Sequence, residues 1–260
     1  MAELGNRLAG ERALVTGATS GIGRQIAVAF AQQGADVVVT GRDTDRGSDV
    51  VDEIRRMRGT AHFESCDLAT TDSARILVAR TVELLGGLSI LVNNASGGGV
   101  GDGPTHDITD DAWHSAMHLN VTVPMQLSRA ALPHMMAAHH GSIINISSRQ
   151  AERASKGFAA YVASKSALNG LTRSIAVDYA EHNVRCNTIS PGYVINERRD
   201  ADLDNERRTR LEAMHLTRLG TAEDVAQAAV FLASQESAFL TGINLQLDGG
   251  SSIARATSLG

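Results

Sequence analysis

The chain has 260 residues, 43% hydrophobic and 20% charged, with a formal net charge of −5. This is the make-up of a soluble chain long enough for one large domain, and its acidic balance gives no electrostatic reason to bind nucleic acid or an anionic membrane. The polar start "MAELGNRLAGER" lacks the apolar region of a signal peptide and no apolar run is long enough to span a bilayer, so the cytoplasm is the expected compartment.

Short β-branched runs bounded by Gly, Asn or Pro alternate with longer amphipathic stretches. In chain order the pattern predicts strands at 12–17 ("RALVTG"), 36–41 ("DVVVTG"), 61–66 ("AHFESC"), 88–95 ("LSILVNNA"), 141–148 ("GSIINISS"), 184–191 ("VRCNTISP") and 243–250 ("INLQLDGG"). Helices are predicted at 22–33, 44–57, 72–85, 109–139, 155–182 and 222–234. Regular β-α alternation implies right-handed crossovers and a mostly parallel sheet covered on both faces, an α/β doubly wound architecture. No linker, repeat or low-complexity tract divides the chain, so one domain over 1–260 is expected. The least regular segment, 193–216, carries mixed charge and reads as a solvated helix pair or as a lid over a cleft. Cys66 and Cys186 lie far apart in apolar runs, as small core hydrophobes do.

Between the first strand and the first helix stands "TGATSGIG", with Gly17, Gly21 and Gly23. Glycines there permit a tight turn and close backbone approach, and a helix N-terminus offers free N–H groups to a pyrophosphate. The spacing is G-x-x-x-G-x-G; no Lys-Ser/Thr pair follows as in a P-loop, and no G-x-S-x-G nucleophile elbow occurs in the chain, Ser20 standing in T-S-G. The second predicted strand ends at Gly41, followed by Arg42 and Asp43. An acid at this place selects NAD by its ribose hydroxyls, whereas an arginine accommodates the 2′-phosphate of NADP. Gly41 offers no side chain, so Arg42 favours NADP over NAD; the alternatives are that Arg42 is a solvated loop charge or that Asp43 takes the ribose.

Of 24 lysines and arginines only Lys156 and Lys165 are lysines, and Lys165 stands four residues after Tyr161 in "YVASK". One helical turn puts both on one face. Tyrosine is a poor acid or base near neutrality, and a permanent positive charge beside it stabilises the phenolate and lowers its pKa. "NISS" ends a predicted strand thirteen residues before the tyrosine, and "LVNNA" ends another.

These motifs, in this order, resemble the short-chain dehydrogenase/reductase family in its Tyr-x-x-x-Lys ketoreductase-type branch. The resemblance covers nearly the whole chain: "TGATSGIG" (16–23), "CDLA" (66–69), "NNAS" (93–96), Asn120 in "HLN", Ser148, "YVASK" (161–165), "PGYV" (191–194) and "LDGG" (247–250). It implies a Rossmann-type domain with a seven-stranded parallel sheet, and hydride transfer between a nicotinamide cofactor and a carbonyl or alcohol carbon. Tyr161 is then the general acid/base and Ser148 polarises the substrate oxygen. Lys165 holds the nicotinamide ribose and lowers the Tyr161 pKa, while Asn120 anchors a water connecting Lys165 to solvent. Cofactor contacts are implied for Gly17, Ser20, Ile22, Arg42, Asp67, Leu68, Asn94, Tyr161, Lys165 and Val194. The family also implies a homotetramer, paired through the helices of 109–139 and 155–182.

Two positions depart from the family pattern. Ser96 replaces the usual glycine of Asn-Asn-Ala-Gly, which reshapes the loop "SGGGVGDG", and Asn196 stands where the family often has threonine. His114 and His118 are spaced i, i+4, but no HExxH pattern or acidic third ligand accompanies them, so a helix-face or interface role is expected and no metal. The expected function is an NADP(H)-preferring oxidoreductase acting on a ketone or secondary alcohol: a 3-oxoacyl thioester, a sugar or polyol, a steroid or a small xenobiotic ketone. The choosing residues are expected in 96–103, 149–157 and 193–216, where the polar "SRQAER" tilts towards a polar or charged substrate. The alternatives are a dinucleotide-binding regulatory protein without turnover, opposed by the intact Ser148, Tyr161, Lys165 and Asn120 set, and a hydrolase, for which no nucleophile motif exists.

Overall fold

Each central strand sends alternate residues to opposite faces, and both faces are apolar. Ala13 and Val15 of the first strand enter one core layer, Leu14 the other; Ile90 and Val92 divide from Leu91 in the same way. A sheet buried on both sides reads as continuous apolar runs, which is why these strands show no polar alternation. In the computed structural model, which describes residues 5–97, 101–196 and 198–253, seven parallel strands form one sheet. They are β1 (Arg12–Val15), β2 (Asp36–Gly41), β3 (Ala61–Ser65), β4 (Ile90–Asn93), β5 (Gly141–Ile146), β6 (Val184–Pro191) and β7 (Asn244–Leu247), in the order β3-β2-β1-β4-β5-β6-β7. The chain winds outward from β1 to β3, then returns to place β4 on the other side of β1, where Ala13 pairs with Ile90. That reversal opens a crevice at the carboxyl ends of β1 and β4, the usual ligand position in such sheets.

One layer is covered by α1 (Gly21–Gln32), α2 (Thr44–Arg56) and α8 (Ala222–Ala233), the other by α3 (Ser73–Leu85), α5 (Val123–Ala138) and α6 (Ala159–Asp178). Two shorter helices, α4 (Asp110–Met117) and α7 (Asn205–Glu212), complete the set. Local chemistry fixes several ends. Asp43 caps α2 by accepting from Arg46 N, Thr221 and Asp224 form a capping box on α8, and Gly86 closes α3 at φ +71°.

The differences from the predicted elements lie mostly at strand ends. β1, β4 and β5 stop two residues early because Thr16, Gly17, Asn94, Ala95, Ser147 and Ser148 leave the ladder to build the crevice rim. The predicted helix at 109–139 divides into α4, a π-helical turn at His118–Thr122 and α5. The predicted helix at 155–182 begins at Ala159, after Gly157 at φ +81°, and ends in a 3-10 turn at Ala180–His182. Segment 193–216 holds one helix rather than a pair. Residues 98–100 of the loop 96–103, residue 197 of that segment, and residues 1–4 and 254–260 lie outside the described residues. Among the described residues no helix is long and apolar enough to cross a membrane.

Candidate active site

The crevice is floored by the glycine turn between β1 and α1. Gly17 lies at φ +63°, and a Cβ there would fall 2.9 Å from Ala95 Cα; a Cβ on Gly23 would fall 2.4 Å from the Gly17 carbonyl oxygen. Both obstacles include backbone, so side chains are excluded rather than merely disfavoured. Asn94 clamps the turn from β4, its Nδ2 donating to the carbonyls of Thr16 at 2.9 Å and Gly17 at 3.1 Å. Ser20 is the N-cap of α1 and makes no side-chain cap bond, so the first-turn amides remain available as donors. Ile22 packs against the apolar layer below and seats the helix end. The turn's shape and donors fit an anionic diphosphate.

At the end of β2, a Cβ on Gly41 would lie 2.6 Å from Thr19 Cγ2, so Thr19 closes the place where an acid would stand. Arg42 is exposed there. Asp43 is committed elsewhere: it caps α2 through Arg46 N at 3.0 Å and pairs with Arg46 Nη2 at 2.8 Å. Past β3, exposed Asp67 folds onto Ala69 N at 3.0 Å, and Leu68 is buried in the core layer beneath it. Past β6, Val194 bridges to Gly220, and Asn196 Nδ2 points at the turn, within 2.7 Å of where a Gly21 Cβ would be. The threonine-to-asparagine departure therefore keeps a donor beside the glycine turn.

Ser148, Tyr161, Lys165 and Asn120 come together on the β4–β5 side of the crevice. Ser148 lies two residues beyond β5, with its side chain facing the Tyr161 phenol. Lys165 is 3% exposed, its Nζ donating to Ile146 O at 2.9 Å and lying 5.7 Å from the Tyr161 ring centroid. Asn120 sits in the π-helical turn, its Nδ2 donating to Ser164 Oγ at 2.9 Å while its Oδ1 accepts from Gly97 N at 3.0 Å. Ser164 Oγ donates in turn to Tyr161 O. Asn120 thus ties α6 to the loop after β4.

The expected direction of the Tyr161 pKa is reversed. Burial pushes the phenol up, and what pulls it back is the Ser148 hydrogen bond and the charge of Arg199, not Lys165. Lys165 is itself pushed down to about 8 by burial, so its charge is not permanent near neutrality. The motif alone presents the lysine as a fixed cation, because "YVASK" does not carry how deeply α6 sinks it.

Three further groups shape the site without having been expected. Asp102 accepts from Ala160 N at 3.0 Å and Tyr161 N at 2.9 Å, so a carboxylate from the loop before α4 caps α6 at its reactive end. Beneath α6, Asn93 donates to Asn145, Asn145 to Thr172, and Thr188 also to Thr172, each at 2.8 Å, which stitches the helix to β4, β5 and β6. Arg199 lies 4.8 Å above the Tyr193 ring and pairs with Asp200, whose carboxyl it holds well below the usual range. The partners of Asp102 and of the two asparagines are distant in sequence, whereas Arg199, Asp200 and Tyr193 are near neighbours. His114 lies in the last turn of α4, and His118, whose N donates to His114 O, opens the π turn.

Comparison with known proteins gives a consistent result. A family model described as enoyl-(acyl carrier protein) reductase matches residues 17–252. The chain is 34% identical to 3-oxoacyl-[acyl-carrier-protein] reductase FabG of Chlamydia pneumoniae, over 94% of this chain and 97% of that protein. It resembles a structure of 7α-hydroxysteroid dehydrogenase complexed with NADH and 7-oxo glycochenodeoxycholic acid, with TM-score 0.88, 36% identity, and coverage of 94% and 95% of the two chains. It also resembles 3-oxoacyl (acyl-carrier-protein) reductase from Agrobacterium tumefaciens C58 with NADP bound, with TM-score 0.88, 32% identity, and coverage of 93% and 94%. With motif order, sheet topology and full-length relatives in agreement, the chain belongs to the short-chain dehydrogenase/reductase family.

Proposed function

We propose that the protein transfers a hydride reversibly between NADP(H) and a ketone or secondary alcohol. The observation that carries this is the Ser148–Tyr161 hydroxyl pair above a buried Lys165, beside a glycine turn shaped for a diphosphate. Gly17, Ser20, Ile22 and Asn94 build the diphosphate cradle, Asp67, Leu68 and Val194 line the remainder of the crevice, and Lys165 holds the nicotinamide ribose. When bound, the nicotinamide supplies or accepts the hydride. In reduction, Ser148 donates to the substrate oxygen and Tyr161 Oη delivers the proton to it as the carbon is reduced. A phenol with a raised pKa keeps that proton available, and Lys165, near 8, relays the replacement from solvent past Asn120 inward to Tyr161. NADP is preferred because Arg42 is exposed at the end of β2, free to meet a 2′-phosphate, while Asp43 is committed to capping α2 and to Arg46. The 3-oxoacyl and 7-hydroxysteroid groups in the relatives' names each belong to a carbonyl–carbinol pair, the chemistry assigned here. The reading includes a cytoplasmic homotetramer of single-domain subunits with 193–216 as the lid.

The test is fluorescence titration with NADPH and NADH, then turnover over a panel of carbonyl compounds. NADPH should bind more tightly, and Tyr161→Phe should keep that affinity while losing at least about a hundredfold in kcat, the scale of general acid–base catalysis. Full activity in the variant would overturn the assignment of the proton donor. Cofactor binding without turnover of any carbonyl would favour a regulatory role.

A further inference from the structure

Arg149 follows Ser148 directly and opens the 3-10 turn Arg149–Ala151. Its side chain is partly buried between this turn and segment 193–216, where Nη2 lies 4.0 Å from Met214 Sδ. A thioether is a weak acceptor and carries no charge. Among the described residues Arg149 has no ion pair, unlike Arg199. Arg199 is neutralised by Asp200, and Arg153 donates from Nη1 to Ser251 O at 2.8 Å and Ser252 O at 3.5 Å. The acid whose charge reaches Arg149 is Asp248, and it is held by Gly250 N at 3.0 Å, Ser252 N at 2.7 Å and the hydroxyls of Ser251 and Ser252. Burial and the like charge of Arg153 both work against the Arg149 cation. A half-desolvated guanidinium without a counter-ion is unfavourable unless an anion completes it.

We propose that Arg149 recognises an anionic group on the substrate, and that this group is a carboxylate. The substrate is then an oxo acid or hydroxy acid whose carboxylate takes the guanidinium fork while its reacting oxygen meets Ser148 and Tyr161. A carboxylate suits one planar cation, whereas a phosphate dianion calls for a second, and Arg153 and Arg199 are already engaged. This rests on the hydride-transfer reading above and adds the substrate class to it.

The experiment measures NADPH-dependent reduction of matched ketones: an oxo carboxylate, its neutral amide and a phosphate-bearing analogue. The parent should prefer the carboxylate over the amide by at least about tenfold in kcat/KM. Arg149→Met should raise KM for the carboxylate roughly ten- to a hundredfold, the range of a lost charge-assisted bond, and bring the acid-to-amide ratio towards one. Arg149→Lys should recover part of the ratio, and unchanged NADPH affinity marks each variant as folded. Equal use of acid and amide by the parent, preference for the phosphate compound, or an equal loss on both substrates in Arg149→Met would overturn the carboxylate assignment and leave the reaction standing. No reduction of any of the three, with NADPH bound, would instead remove the hydride-transfer reading, and this inference with it.

Discussion

The two rims of the crevice are built by different means. On the β1–α1 side, glycines at 17 and 23 face backbone atoms at distances no side chain tolerates, and a part-buried asparagine clamp holds the turn. On the 193–216 side, α7 has no buried residue, Leu216 is 65% exposed, and polar ties among Tyr193, Asp200, Arg199 and His215 hold the segment. Backbone collisions admit one residue type, whereas polar ties can be made by many. The first rim therefore suits a ligand shared across a family, and the second suits one that varies.

Three substitutions would break or sharpen this contrast. The largest effect is expected at Lys165, whose Nζ occupies a dry slot against Ile146 O. Arginine's planar fork is wider and cannot give up its proton near pH 8, so Lys165→Arg should lower kcat at least about a hundredfold, roughly 2.7 kcal/mol. A variant within a few-fold of the parent in steady-state kinetics would show that charge alone is needed. Next is Gly23→Ala, which drives a methyl into the Gly17 carbonyl and the Asn94 side chain. Thermal melts should show a loss of about 1–3 kcal/mol, with weakened NADPH binding; an unchanged melt would mean the turn yields and sterics do not fix it. The smallest is Arg208→Ala on α7, where an exposed pair with Glu212 at 3.0 Å is removed. Its effect on unfolding should stay within about 0.5 kcal/mol. A loss of several times that would place α7 in the stability core and erase the contrast.

The same contrast governs what could be read in advance. All seven strands were legible because a sheet buried on both faces writes itself as β-branched runs, and the glycine turn was legible because its geometry forbids alternatives. Strand ends ran long because Thr16, Asn94 and Ser148 look like strand residues until the crevice diverts them. The Asp102 cap could not be found: nothing in "GDG" names a helix N-terminus 58 residues later as its partner. Burial was the other blind spot. "YVASK" reveals that a lysine lies one turn from a tyrosine, but the depth that sets both their pKa values belongs to the packing of α6 on β5 and β6.

The π-helical turn at His118–Thr122 has a consequence of its own for Asn120. A π turn holds one residue more than the α-helix it interrupts, so it behaves as a single-residue insertion kept inside a helix. If the same residues wound as a continuous α ladder, with none removed, the extra residue would no longer be absorbed. Everything on one side would then rotate by about 100° relative to the other. Asn120 would swing off Ser164 and Gly97, while α5 could keep its apolar face on the sheet. The helix would gain regularity, and the loop after β4 would lose its anchor to the catalytic helix. The irregular turn is therefore a phase shifter: it lets one stretch of chain satisfy the core with one helical phase and the crevice with another.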